Sequence, residues 1–439
     1  MTALPKIDIS GYLHKIAHTQ TVQVSGKVTE IVGLLVEARG PVASLGEVLK
    51  ISNGEDEVQA EVVGFKKGAV LMMPLDMVHG LAPGCRVTST GEQAAVPVGK
   101  ALLGRVLNGL GRPIDNKSAI KCDDLYPLYA PPLNPLLRAR IKEPLDLGIR
   151  AVNGLLTCGK GQRMGIFAGS GVGKSILMGQ MAKYSQAEVN VIGLIGERGR
   201  EVREFLEKNL GPQGMAKSVV VVATSDTHPL VRMRAAYTAT AIAEYFRDQG
   251  KDVLLMVDSL TRFALAQREV GLSIGEPPTT RGYTPSVFSL MPKLLERSGA
   301  LEGSGSITGL YTILVEGDDF NEPISDTARS ILDGHIVLTR ELASRGHFPA
   351  IDIMRSISRV MPDLVSEEIL KAARFVLRNI SVYRKAEDLI NIGAYVKGSN
   401  PEIDLAIDMI EKINAYLRQG MDEYVSLAAA QEELLKLCR

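Results

Sequence analysis

The chain has 439 residues, enough for two or three domains with a substantial core. Fifty basic residues balance fifty acidic ones, which argues against a dominant nucleic-acid-binding role, because such proteins carry a basic excess or stripe. The four cysteines (Cys85, Cys122, Cys158 and Cys438) are scattered, indicate neither a disulfide framework nor a zinc site, and fit a reducing compartment.

The first residues lack the basic and apolar blocks of a signal peptide, and no apolar run approaches membrane-spanning length. A cytoplasmic protein is expected, able to reach a membrane through partners. Within residues 1–20, Ile9, Tyr12, Leu13 and Ile16 recur at i, i+3, i+4, i+7 and predict a short amphipathic helix despite Gly11. It either packs on its own domain or docks a partner; both readings stand.

Residues 21–95 change to short β-type runs: Val22–Val24, Lys27–Val36, Val48–Ile51, Val58–Val63, Ala69–Met73 and Cys85–Thr88. Gly, Pro and Asn53-Gly54 turns separate them, which predicts a small closed β-barrel. A third region, 96–365, opens on a proline-rich transition and then alternates apolar runs with helical periods. Strands are expected at 164–167, 189–195, 218–223, 253–257, 306–314 and 335–338, with helices at about 175–184, 230–247 and 286–297. That alternation implies an α/β fold with a parallel sheet covered by helices. From Ser366 to the end the chain reads as a helical C-terminal domain, 366–439. Asn400-Pro401-Glu402 starts a helix there, with Ile403, Ala406, Ile407, Ile410 and Leu417 along one face.

The strongest motif is Ala168-Gly169-Ser170-Gly171-Val172-Gly173-Lys174-Ser175, between the buried run Met164–Phe167 and the helical period beginning at Ile176. Strand, glycine-rich turn and helix are what phosphate binding requires. Glycines let N–H groups curl round the phosphates, and the helix start adds its positive end. Lys174 is expected to reach the β- and γ-phosphates and Ser175 to bind Mg²⁺. Ala168 replaces the first motif glycine, and its side chain is small enough to fit. A nucleoside triphosphate site is predicted, formed by Gly169, Ser170, Gly171, Val172, Gly173, Lys174, Ser175 and Ile176.

Hydrolysis needs more: a carboxylate for the metal, a group to orient water, and a positive charge for the transition state. The run Leu254–Val257 ends in Asp258, which puts a carboxylate at the sheet's C-terminal edge, where it can hold Mg²⁺ through water. Glu197, in Gly196-Glu197-Arg198-Gly199-Arg200-Glu201, follows the apolar run Val191–Ile195. It can polarise an attacking water, with Arg198 keeping it ionised; a solvated charged turn is the other reading. Arg359 is one arginine among many, and by its residue type alone a salt bridge is its default.

Together these pieces resemble the catalytic subunits of the rotary and secretion ATPases over about residues 20–439. The segments that carry the resemblance are 168–175, Gly196-Glu197-Arg198, Asp258-Ser259 and Gly346-His347-Phe348-Pro349-Ala350-Ile351-Asp352. Segments 161–167, 243–250 and 314–319 are similar to the type III export branch, and 386–395 to its flagellar rather than its injectisome member. The resemblance implies a RecA-like P-loop core between barrel and helical tail, ATP hydrolysis with Mg²⁺, and a homohexamer with sites at subunit interfaces. It makes Glu197 the water-activating glutamate assisted by Arg198, and Lys174 catalytic. Phe348 becomes an aromatic that stacks on adenine. Arg359 becomes an arginine finger reaching the neighbour's nucleotide, a role worth roughly 10³ to 10⁵ in rate. Arg262 is placed near the site. The implied partners are a stator-like regulator at the leader, a coiled-coil stalk protein, export chaperones and substrates, and a membrane export gate at the inner face of the cell membrane. No nucleic acid is expected.

Other functions fit less well. An injectisome ATPase shares the chemistry and differs in cargo. An ATP synthase β subunit carries an acidic tail loop that this chain lacks. An RNA translocase of the transcription-terminator type needs aromatic stacking platforms, and segment 21–91 has only Phe65 and no Tyr. A non-hydrolysing structural subunit would lack Glu197.

Overall fold

Alternation of apolar and polar residues closes the first part of the chain on itself in the computed structural model, which describes residues 9, 24–54, 56–76, 80–315, 317 and 319–438. Strands β1 (Ser25–Val32), β2 (Leu35–Arg39), β3 (Glu47–Asn53), β4 (Asp56–Lys66), β5 (Ala69–Pro74) and β6 (Arg86–Gln93) form a closed antiparallel barrel. Their order is β1-β2-β5-β4-β3-β6. Val28, Val36, Leu49, Ile51, Val62, Met72 and Val87 fill the interior. The run expected as one strand at Lys27–Val36 is two, because Gly33 turns the chain at φ +59 and Val32 pairs with Leu35. The Asn53-Gly54 hairpin forms, with Asn53 opposite Asp56. The leader, Ile9 excepted, and Val22 of the first expected strand lie outside the described residues; Val24 belongs to no strand.

The barrel belongs to a compact unit ending at Ala94, and a second unit runs from Ala95. Its sheet is built from β7 (Arg105–Asn108), β8 (Arg163–Ala168), β9 (Val189–Glu197), β10 (Ser218–Thr224), β11 (Asp252–Asp258), β12 (Ser306–Leu314), β13 (Gly334–Leu338) and β14 (Ile357–Ser358). The order is β14-β13-β8-β12-β11-β9-β10-β7, parallel except that β14 runs against β13. A short strand, Gly299–Ala300, pairs antiparallel with β12. The near-continuous apolar runs of β9, β10 and β11 are buried on both faces, as a helix-covered parallel sheet demands. Helices α1 (Lys174–Tyr184), α2 (Pro229–Asp248), α3 (Leu260–Ser273) and α4 (Pro285–Leu295) cover it. Ser259 caps α3, its hydroxyl accepting from Arg262 N at 3.2 Å.

The tail folds into α5 (Glu367–Asn391), α6 (Pro401–Leu417) and α7 (Leu427–Leu437). Asn400 caps α6 as expected, accepting from Glu402 N at 2.9 Å. The buried face is centred on Ala406, Met409, Ile413 and Tyr416, with Ile403, Ile407 and Ile410 half-buried beside it. Ile369, Val376, Ile413 and Leu434 share one core cluster with Ile166, Met178 and Leu254. The tail is therefore helical as expected, yet it packs into the core of the second unit instead of making one of its own. Among the described residues, no helix is long and apolar enough to cross a membrane.

Candidate functional site

Strand β8 delivers the chain to Ala168 with no exposed surface, and the turn that follows needs backbone angles other residues resist: φ is +79 at Gly171 and +90 at Gly173. Val172 is buried and pins the loop to the core, while Ser170 and Ser175 are exposed. Gly173 at the start of α1 offers no side-chain cap, and the first turn holds no acidic residue. Those N–H groups and the helix dipole are left for an anion.

Parallel register brings the other strand ends to the same edge. Asp258 stands opposite Leu194 near the end of β9, and Val257 opposite Tyr311 in β12. The Lys174 ammonium pairs with Asp258 Oδ1 and lies 3.5 Å from Glu197 Oε1. The Thr312 hydroxyl donates to the same Asp258 oxygen at 2.6 Å. At Gly196 the register of β9 slips, with φ +70, and a β-carbon there would come within 3.0 Å of the Arg262 side chain. The glycine thus lets Arg262 lie over the strand end that presents Glu197.

Two carboxylates face one ammonium in a poorly hydrated site. Burial is the largest influence on Glu197; Lys174 offsets part of it, Asp258 and a hydrogen bond with Glu201 add to it, and the carboxyl is pushed up to about 7. Burial pulls the Lys174 ammonium down, but Asp258 and Glu197 outweigh it and hold it above its ordinary value. The expectation that Arg198 keeps Glu197 ionised is corrected here. The Arg198 side chain is 81% exposed and 3.5 Å from Glu201, so Lys174 is the cation at Glu197.

The half-exposed Phe348 ring lies 3.8 Å from where a Gly173 β-carbon would stand, beside the loop. Its carbonyl accepts from Gln419 N at 2.9 Å, so the tail holds it there. Arg359 is not brought to this cluster. Exposed, it follows β14, gives its backbone N–H to Asp333 O at 3.0 Å and a guanidinium N–H to Arg329 O at 3.3 Å. Asp333 precedes β13, whose far end, Leu338, pairs with Ala168. Five residues of strand separate the two edges, about 16 Å. Sequence reasoning missed Thr312 and the effect of Glu201; a threonine within the apolar run 306–314 was the available signal for the first.

Among the described residues no three His, Cys, Asp or Glu side chains cluster as a metal site. The Ser175 hydroxyl and the Asp258 carboxylate are a sparse, all-oxygen set. This fits Mg²⁺, which keeps most of its waters and takes its remaining ligands from substrate phosphates.

Residues 148–358 match the ATP synthase alpha/beta family, nucleotide-binding domain, and residues 28–91 its beta-barrel domain. Residues 365–436 match the T3SS EscN ATPase C-terminal domain. The flagellum-specific ATP synthase of Pseudomonas aeruginosa is 50% identical over 98% of this chain and 96% of its own length. The type 3 secretion system ATPase of Xanthomonas euvesicatoria is 51% identical over 94% of this chain and 92% of its own. The solved structure of the assembled ATPase EscN from the type III secretion system of enteropathogenic E. coli superposes with a TM-score of 0.90 at 49% identity, covering 94% of this chain and 100% of that one. A second EscN structure includes its central stalk, EscO, with a TM-score of 0.87 at 48% identity, covering 94% of this chain and 100% of that one. By sequence along nearly its whole length and by backbone, the chain belongs to the ATP synthase alpha/beta family, in the branch of the flagellum-specific and type III secretion ATPases.

Proposed function

We propose that this chain hydrolyses ATP to drive type III protein export, of flagellar components, in a homohexameric ring with each active site shared between two copies. The observation that carries the reading is the Lys174, Asp258 and Glu197 cluster at the open start of α1, with Arg359 at the opposite edge of the same sheet. The backbone of Gly169 to Gly173 and the side chain of Lys174 hold the phosphates, and Val172 and Ile176 shape the loop and the first helical turn. Phe348 stacks on the adenine. Ser175, and Asp258 through water, hold Mg²⁺, which when bound screens the phosphate charge. Glu197 orients the attacking water and accepts its proton, for which a value near 7 suits neutral pH. Arg198 stands at the solvent side of this mouth, beside Glu201. Arg359 reaches the nucleotide of the adjoining copy and stabilises the charge that develops on the transferred phosphoryl group.

The flagellar cargo is supported by relatives of that name at 50% and 53% identity, from Pseudomonas aeruginosa and Bacillus subtilis. The injectisome reading is the second, supported by the Xanthomonas relative. In either case the protein works in the cytoplasm, at the inner face of the membrane. The ring takes a coiled-coil stalk protein and receives export chaperones, and its tail faces substrates and the export gate; the assembled EscN is solved in complex with a central stalk, EscO. The leader receives a stator-like regulator.

The test is ATPase rate against protein concentration for wild type and Arg359→Ala. Specific activity that rises steeply with concentration and collapses in the variant is expected. Activity independent of concentration and indifferent to Arg359 would sink the shared site.

A further inference from the structure

Thr312 lies in β12 among Ile307, Leu310, Tyr311 and Ile313, all wholly buried, and has no exposed surface itself. A β-branched residue suits that strand, but valine would fill the space as well. The hydroxyl therefore needs a reason, since a buried polar group without a partner is costly. Three other buried threonines of this unit spend theirs on backbone: Thr238 donates to Gly109 O, Thr240 to Ala236 O, and Thr308 accepts from Gly161 N. Thr312 alone of these turns to a charged side chain, donating to Asp258 Oδ1 at 2.6 Å. Register makes the pairing rigid, because Val257 stands opposite Tyr311 and the next residues of the two parallel strands are Asp258 and Thr312.

Asp258 Oδ1 also pairs with Lys174. That partner is shared, because nucleotide phosphates compete for the same ammonium. Once Lys174 turns to them, the Thr312 hydroxyl is the donor that stays, fixed by its strand. A carboxylate tied at one oxygen presents the other in a single direction, and ligands steered by such outer partners bind metal more tightly.

We propose that Thr312 is a positioning residue that sets the rotation of the Asp258 carboxylate for the divalent metal of the nucleotide complex. This rests on the reading that Asp258 holds that metal through water. Mn²⁺ is the probe, with a non-hydrolysable ATP analogue and the full chain, its binding followed by electron paramagnetic resonance. Thr312→Val should weaken Mn²⁺ by about 10-fold or more. Its affinity for the analogue in EDTA and its melting temperature should stay those of wild type. Thr312→Ser, which keeps the hydroxyl, should restore Mn²⁺ affinity. Wild-type Mn²⁺ affinity in Thr312→Val would overturn the proposal, and so would an equal loss of analogue binding in EDTA, which would mark a damaged pocket. Asp258→Asn separates the two levels. If it weakens Mn²⁺ while Thr312→Val does not, only the Thr312 inference falls. If it leaves Mn²⁺ untouched, the reading of Asp258 falls, and the inference with it.

Discussion

At the edge of the sheet where β8, β9 and β11 end, charge is left unbalanced: Glu197 and Asp258 share Lys174, and α1 begins without a cap. At the other edge Arg163 meets Asp333 with two hydrogen bonds of 3.0 Å and Glu296 at 2.5 Å, and Arg138 meets Glu296 at 2.6 Å. Arg359 stands apart there, its guanidinium given a carbonyl at 3.3 Å and no carboxylate among the described residues. At one edge two carboxylates share a single lysine, and the other holds an arginine without an acid. Ion pairs that serve the fold are closed within the chain, whereas groups proposed to serve the reaction are left open. The proposed contact between copies resolves both edges at once.

The comparison breaks most sharply at Arg359. Replacing it with alanine should lower kcat by roughly 10³ to 10⁵ and leave ATP binding intact, read by turnover and by nucleotide titration. Next comes Glu197→Gln, expected to cost roughly 10² to 10⁴ in kcat with ATP still bound. Mixing these two inactive variants sharpens the point. Hybrid rings contain interfaces with one intact Glu197 and one intact Arg359, so activity should return; a mixture as dead as its parts would refute the shared site. Phe348→Ala should remove about 1–3 kcal/mol of stacking and raise KM for ATP, with kcat little changed. The smallest effect is in pH. Because Glu197 must be ionised to accept a proton and is pushed up to about 7, kcat/KM should climb as pH rises through that value. Glu201→Gln removes a negative charge that helps keep Glu197 high, so the limb should move to lower pH.

The sheet was legible because its strands are uninterrupted apolar runs; β12, expected at 306–314, spans Ser306–Leu314. Glycine-dependent turns hid more, as where Gly33 divides a single apolar run into β1 and β2. Edge strand β7, Arg-Val-Leu-Asn, is too short for its period to stand out, and α3 follows β11 with only Ser259 between them. At the site, residue types named the carboxylates and the lysine, but not who pairs with whom. Arg198 is adjacent to Glu197 in sequence yet points to solvent, while Lys174, 23 residues away at the start of α1, and Thr312, through sheet register, reach the cluster. Local charge pattern carries no information about such partners.

The rooting of the tail helices in the nucleotide unit has a practical corollary for anyone trimming the protein. A chain stopped after Val365 would strip Ile369, Val376, Ile413 and Leu434 from the cluster that also holds Met178 of α1, exposing apolar surface beside the phosphate loop. Such a fragment should aggregate even though every sequence motif for catalysis is present. The minimal piece worth expressing runs to the last helix, and the boundary at Ala94, between two compact units, offers a place to cut.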